Sequence, residues 1–132
     1  MYAKDKTTIT LGNIQEMVDV TCGIQQGCSI STLLFKMVSF CIIEDLKNQG
    51  VIYELGKYKG NSLWLANDTT LVANNNENMK TNIAILRSSA RKYGLEINEG
   101  KSKIIQVRGR QKPREICNFE VVKDVKYLGI KF

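Results

Sequence analysis

Asn67 and Asp68 are the residues with the clearest capacity for chemistry, because they stand between two apolar stretches. Leu63-Trp64-Leu65-Ala66 precedes the pair and Thr69-Thr70-Leu71-Val72-Ala73 follows it, which predicts two strands joined by a two-residue polar tip. Asp68 carries a carboxylate, whereas the amide of Asn67 offers only a neutral oxygen. The alternative interpretation is a plain turn, since Asn and Asp both tolerate positive φ.

The composition excludes several other chemistries. The chain has no histidine, which removes Ser-His and Cys-His catalysis. Its cysteines form no Cys-x-x-Cys unit, so a zinc site is not expected, and we expect all of them to be reduced: Cys22, Cys28, Cys41 and Cys117. Cys41 lies in an apolar run, where we expect a buried thiol that behaves as a small apolar side chain.

A basic segment near the C-terminal end is the candidate nucleic-acid contact. The chain has 19 Lys and Arg against 13 Asp and Glu, a formal net charge of +6. Six cations follow one another without an intervening acid: Lys101, Lys103, Arg108, Arg110, Lys112 and Arg114. Such a segment can bind phosphates through counterion release without reading sequence. The alternative is a solvated basic loop, because the segment has no interleaved aromatic side chains on which bases could stack.

The elements that precede the tip are predicted from turn residues and periodicity. Thr7 to Leu11 and Glu16 to Thr21 are β-prone stretches around Gly12-Asn13, which predicts an antiparallel hairpin. A helix is predicted from Ser31 to Gly50, with a stripe at Leu34, Met37, Val38, Cys41, Ile42 and Leu46. Further apolar residues widen this stripe, so its first turns are expected to be buried on most sides: Leu33, Phe35, Phe40 and Ile43. Val51 to Tyr58 is predicted as strand and turn.

The elements that follow the tip are a second helix and further strands. Glu77 to Tyr93 is predicted as an amphipathic helix that ends at Gly94, with one face formed by Met79, Ile83, Leu86, Ala90 and Tyr93. A strand is predicted at Ile104 to Val107. A final pair is predicted at Glu115 to Val122 and Val125 to Phe132, separated by Lys123-Asp124. With 43% hydrophobic residues, the 132-residue chain is most simply one domain, residues 1–132.

Four segments in order resemble the motifs of a known family. They are Gly23-Ile24-Gln25-Gln26-Gly27 with Ser31-Thr32-Leu33-Leu34-Phe35, the Ala66-Asn67-Asp68 tip, Gly94-Leu95-Glu96-Ile97-Asn98 with Lys101, and Tyr127-Leu128-Gly129-Ile130. The family is the reverse transcriptase of non-LTR (LINE-type) retrotransposons, whose corresponding tip reads Ala-Asp-Asp. The resemblance extends from about Thr7 to Phe132.

The resemblance implies an α+β fold, a palm-like antiparallel sheet with two main helices on one face, and with fingers and thumb lacking. It implies contact of Gln26, Gly27 and Lys101 with nucleotide or template. The family's nucleotidyl transfer uses Mg²⁺ ions about 4 Å apart, and paired carboxylates are shared between these ions. Here Asn67 replaces one carboxylate, and the strand with a third Asp is not found, so only a vestigial Asp68 remains. We therefore expect no cofactor and no polymerase activity, even in Asn67→Asp.

These observations predict a reverse transcriptase-like domain, catalytically inactive, with sequence-independent RNA or DNA binding. The alternative is a domesticated protein-interaction module that acts through a protein partner. The absent strand would leave the hairpin at residues 63–73 unpaired, so either Thr7 to Leu11 folds back to fill the gap or another copy of the chain supplies a strand. We favour the second alternative, which predicts homo-oligomers. We expect no membrane partner and a cytoplasmic or nuclear location, because the N-terminal residues lack a signal peptide.

Overall fold

The structure is a computed structural model that describes residues 5–20, 29–107, 113–127 and 129–131. These residues form two helices and eleven short strands, an α+β mixture. The chain divides into two compact units, residues 1–35 and 36–132. The predictions for Gln26, Gly27, Arg108, Arg110 and Lys112 lie outside the described residues.

The first unit contains an antiparallel hairpin of β1 (Asp5–Leu11) and β2 (Ile14–Val20). Its turn lies at Gly12-Asn13, as predicted, and Gly12 has a φ of 60°, a left-handed conformation that glycine adopts without a Cβ clash. Leu11 pairs with Ile14 and Ile9 with Glu16. The predicted hairpin is therefore confirmed, with bounds that differ by about two residues.

Both predicted helices are confirmed, α1 at Ser29–Gln49 and α2 at Asn76–Lys92. Asn75 caps the start of α2, because its side-chain oxygen accepts a hydrogen bond from the Asn78 N–H at 2.9 Å. Along α2, Ile83 and Ala90 are buried as the stripe predicted. Tyr93 is the C-cap residue and is exposed, so the apolar face ends one turn earlier than predicted.

The prediction that the first turns of α1 are buried on most sides is wrong. Leu33, Met37 and Phe40 are 58%, 60% and 60% exposed, and Cys41 is also exposed rather than buried. The apolar cluster contacts one side of α1 only, through Val38, Ile42 and Leu46. A helix that meets a single packed layer buries one stripe, whatever the hydrophobicity of its other faces.

The core of the second unit joins both helices to the candidate hairpin. Ile42 and Leu46 of α1 and Ala90 of α2 form the buried cluster. Trp64 and Leu71, from the two strands that flank the tip, pack against it. Asp45 of α1 also accepts hydrogen bonds from Ser89 and, at 3.1 Å, from the Lys92 ammonium of α2. These two bonds lower the pKa of Asp45 below its ordinary value, so the carboxylate that links the helices stays charged.

A polar junction, defined by Gly50, Asn61 and Asn82, closes the end of α1. The Asn82 side chain accepts from the Val51 N–H at 2.8 Å and donates to the Val51 carbonyl oxygen at 3.1 Å. Asn61 donates to the Leu46 carbonyl oxygen at 2.6 Å. A Cβ on Gly50 would overlap that same oxygen and both amide side chains. The junction therefore requires glycine for space.

The strands of the second unit form several small sheets. Strands β3 (Tyr53–Leu55) and β4 (Tyr58–Gly60) pair antiparallel, as do β5 (Ser62–Leu65) and β6 (Asp68–Leu71). A three-stranded sheet has the order β7 (Lys103–Ile105), β9 (Phe119–Val122), β8 (Glu115–Ile116), in which β7 and β9 run parallel. A last pair is β10 (Lys126–Tyr127) with β11 (Ile130–Lys131). Helices that could cross a membrane were not found among the described residues.

The prediction of one final strand pair at 115–122 and 125–132 is wrong, because each stretch is itself a hairpin. Cys117 and Asn118 have φ of 52° and 67°, the two consecutive left-handed residues of a tight hairpin turn. They fold β8 back onto β9. The free edge of β9 then pairs with β7, so the chain gains a parallel contact that no local pattern indicates.

Candidate functional site

The candidate tip lies on the hairpin of β5 and β6, one residue earlier than predicted. Leu65 pairs with Asp68, so the two turn residues are Ala66 and Asn67, and Asp68 is the first residue of β6. Ala66 has a φ of 52°, which places an ordinary L-residue in the left-handed region. In this register Trp64 lies opposite Thr69, and Trp64 is directed to the side of the core.

Pairing in this register separates the hairpin into two faces. Trp64 and Leu71 lie on the inner face, towards the helices. Leu63, Leu65 and Asp68 lie on the outer face, and all three are exposed. The carboxylate of Asp68 therefore faces solvent beside two leucine side chains.

Asn67 and Asp68 are adjacent and exposed, but the hairpin brings them no further carboxylate partner that the structure records. The described part of the chain contains no group of three or more His, Cys, Asp or Glu side chains that could hold a metal ion. Two divalent cations about 4 Å apart need several shared carboxylate oxygens. One carboxylate beside one amide supplies a single negative charge.

The Gly94-Leu95-Glu96-Ile97-Asn98 segment ends helix α2. Gly94 has a φ of 70°, and its N–H donates to the Arg91 carbonyl oxygen at 3.1 Å. The Leu95 N–H donates to the Ala90 carbonyl oxygen at 3.0 Å, which completes a Schellman cap. Leu95 then packs against the core cluster. The glycine and leucine of this motif therefore have a structural role here.

Asn98 closes a turn around Lys101. Its side-chain oxygen accepts from the Lys101 N–H at 3.1 Å. Its carbonyl oxygen accepts from the N–H of Ser102 at 3.0 Å and from the Ser102 hydroxyl at 2.8 Å. The Lys101 side chain is exposed, and its ammonium forms no ion pair with a described residue.

The three-stranded sheet gives the cations of the basic segment different partners. The Lys103 ammonium donates to a Glu120 carboxylate oxygen at 2.8 Å, because β7 and β9 place these residues side by side. On the other side of Glu120, Glu115 of β8 is its antiparallel partner. Arg114 is paired through its carbonyl oxygen with the Val121 N–H, one residue before β8 begins. Lys103 is thus compensated by an acid, whereas Arg114 is exposed and forms no ion pair within the described ranges.

A cleft of about 330 Å³ lies beside the end of α2, and its lining includes Arg87, Arg91 and Glu99. Arg87 is committed to the fold, because it donates to Glu99 and to the Cys117 carbonyl oxygen, both at 2.6 Å. Its guanidinium also lies 4.9 Å from the centre of the Phe119 ring. This arrangement anchors the β8–β9 turn to α2.

Sequence reasoning missed Glu120 and the role of Asn98. Glu120 is 17 residues from Lys103 and meets it only through the parallel pairing, so no local signal indicated the ion pair. Asn98 had a local signal, because an Asn side chain can accept the backbone N–H of the residue three positions later and so close a turn.

The sequence profile of the family described as reverse transcriptase (RNA-dependent DNA polymerase) matches residues 4–132. Because the match covers nearly the whole chain, the protein belongs to the reverse transcriptase family. No curated protein and no solved structure gives a match.

Proposed function

We propose that this domain has lost the polymerase chemistry of its family and binds the phosphate backbone of RNA or DNA without reading sequence. The observation that carries the loss of chemistry is the tip itself, in which Asn67 stands where the motif that this segment resembles has a carboxylate. Binding depends on cations rather than on a metal, so it can outlast the loss of catalysis.

The loss of catalysis is supported by charge. Two-metal transfer uses one cation to activate the attacking 3′ oxygen and another to stabilise the leaving pyrophosphate. Asn67 contributes no negative charge, and Asp68 lies exposed at the first position of β6. A divalent ion bound by this single carboxylate would keep half of its charge uncompensated and would dissociate readily into water.

The proposal includes a palm-like arrangement within a single domain, and a non-LTR origin. Two observations support the palm. Both helices contribute to the cluster that contacts the inner face of the β5–β6 hairpin, through Ile42, Leu46 and Ala90. The outer face, with Leu63 and Asp68, stays open. The four ordered motifs support the non-LTR type.

Nucleic-acid binding is supported by the net charge of +6 and by two cations without an acidic partner, Lys101 and Arg114. Lys103 contributes less, because Glu120 compensates it. The remaining cations of the segment are Arg108, Arg110 and Lys112. Phosphate contacts of this kind give affinity that is independent of sequence and falls steeply with salt.

The test compares two variants that lose the same charge. In the first, glutamine replaces the four cations of the segment: Arg108, Arg110, Lys112 and Arg114. We expect its log K against log salt slope on duplex to flatten by up to about three to four units, at about 0.9 per phosphate contact. In the matched control, glutamine replaces four exposed lysines elsewhere: Lys36, Lys57, Lys123 and Lys126. Equal changes in both variants would show a general charge effect and remove the segment from the site.

A second candidate function is association with protein, favoured by the exposed apolar side chains of α1. Met37 and Phe40 are each 60% exposed, and large exposed apolar groups promote association. We take a second copy of the chain as the partner. Light scattering over a tenfold concentration range should then show a mass that rises with concentration and that falls to the monomer in Met37→Gln/Phe40→Gln. A monomeric wild type at all concentrations would exclude this candidate.

A further inference from the structure

Asn98 holds the base of the Lys101 side chain in place from two directions. Its amide oxygen accepts the Lys101 N–H, and its carbonyl oxygen accepts both the N–H and the hydroxyl of Ser102. These three bonds close the turn formed by residues 98–102. The residues on both sides are also held, since Leu95 packs in the core and Lys103 begins β7.

Lys101 differs from its neighbour Lys103 in what its ammonium contacts. Lys103 is bound to Glu120 at 2.8 Å, so its charge is already compensated. Lys101 is exposed, without an ion pair in the described part of the chain. A phosphate that approaches this turn therefore meets one uncompensated ammonium, on a backbone that is already ordered.

We infer that Asn98 is a positioning residue for phosphate binding, which presents Lys101 to the backbone of RNA or DNA. This inference rests on the proposed nucleic-acid binding. Lysine is a point charge on a flexible four-carbon stem, so it loses conformational freedom when it binds. A fixed backbone at Lys101 reduces that loss, because only the side chain remains to be ordered.

The experiment is a double-mutant cycle on binding of a 20-base-pair DNA duplex at several salt concentrations. Lys101→Ala removes one phosphate contact, so it should weaken binding on the order of fivefold to tenfold at 0.1 M salt and flatten the salt slope by about 0.9. Asn98→Ala should weaken binding about twofold to fivefold, since it loosens the backbone at Lys101 without removing the charge. In the Lys101→Ala background, Asn98→Ala should have no further effect.

Two further variants separate positioning from general structure. Asn98→Ser keeps a shorter side-chain acceptor and should restore part of the affinity, because serine forms weaker turns of the same kind. Asn75→Ala is the matched control: Asn75 makes the same kind of bond, to the Asn78 N–H at 2.9 Å, but has no lysine in its turn. It should leave both the affinity and the salt slope unchanged.

The outcomes distinguish this inference from the function on which it rests. If the wild type does not bind the duplex, the proposed function is wrong and the inference is wrong with it. If the wild type binds, but Asn98→Ala weakens binding equally with and without Lys101, the inference alone is overturned. An effect of Asn75→Ala as large as that of Asn98→Ala would also overturn it. Should Asn98→Ala lose its circular dichroism signal, the same cycle with Asn98→Ser decides.

Discussion

The polar junction and the hairpin tip both depend on asparagine, but the fold uses the residue in opposite ways. Asn82 and Asn61 are 0% and 1% exposed, and each bonds to backbone groups of other elements. Asn67 is exposed at the turn, and no described hydrogen bond involves its side chain. The junction therefore needs its amides, whereas nothing in the structure of the tip requires an amide at residue 67.

This difference means that residue 67 can be exchanged without loss of the fold, whereas the junction residues cannot. A buried polar group that loses its hydrogen-bond partner lowers the free energy of unfolding, so the residue types at the junction are constrained by stability. An exposed turn residue is free of that constraint. The hairpin is held instead by its inner face, where Trp64 and Leu71 contact the core cluster.

The largest effect should follow from Asn82→Ala. This change leaves the Val51 N–H and carbonyl oxygen without their partners and opens a cavity at a fully buried position. We expect a loss of about 3–5 kcal/mol in the free energy of unfolding, at about 1–3 kcal/mol for each unsatisfied group. Urea denaturation followed by circular dichroism measures it. Asn48→Ala, at an exposed position of α1, is the control and should change stability by less than about 0.5 kcal/mol. Similar losses in both variants would remove the special role of the junction.

A smaller effect of opposite sign should follow from Ala66→Gly. Ala66 has a φ of 52°, where an L-residue is strained by about 1–2 kcal/mol and glycine is not. Glycine also stabilises the unfolded chain by about 0.4–1 kcal/mol through its conformational freedom, which offsets part of the relieved strain. The net increase in the free energy of unfolding should therefore be about 0.5–1 kcal/mol. The urea midpoint should rise with an unchanged slope. Ala84→Gly, at an exposed position inside α2, should lower stability instead, and a loss in both variants would contradict the assigned turn.

The smallest effect should follow from Asn67→Ala. Since its side chain is exposed and makes no described bond, the free energy of unfolding should stay within about 0.5 kcal/mol of the wild type. Thermal and urea unfolding both report it. A loss above about 1 kcal/mol would show that the amide is structural, and the contrast with the junction would fail.

The parts of the fold that sequence predicts are those fixed by local chemistry. Both helices and the hairpins at Gly12-Asn13 and near Asn67 follow from caps, glycines and periodicity within a few residues. The turn lies one residue earlier than the Asn-Asp pair predicts. Burial does not account for this difference, because both pairings place Trp64 and Leu71 on the same face of the hairpin.

The parts that sequence could not predict depend on distant contacts. The exposure of Phe40 follows from which side of α1 meets the core, and the spacing of apolar residues does not specify a side when both are apolar. The Lys103–Glu120 ion pair requires the parallel contact of β7 and β9. In the candidate site, the residue types at 67, 68 and 101 could be assigned from the motifs, whereas the turn that Asn98 closes around Lys101 required the structure.

Primer extension tests the central claim most directly, namely that the tip with Asn67 no longer supports nucleotidyl transfer. The wild type and Asp68→Ala are incubated with poly(rA)/oligo(dT) and thymidine triphosphate, with Mg²⁺ and with Mn²⁺. We predict that neither protein gives incorporation above buffer, because one carboxylate cannot hold two cations in place. Incorporation by the wild type that Asp68→Ala abolishes would contradict the account.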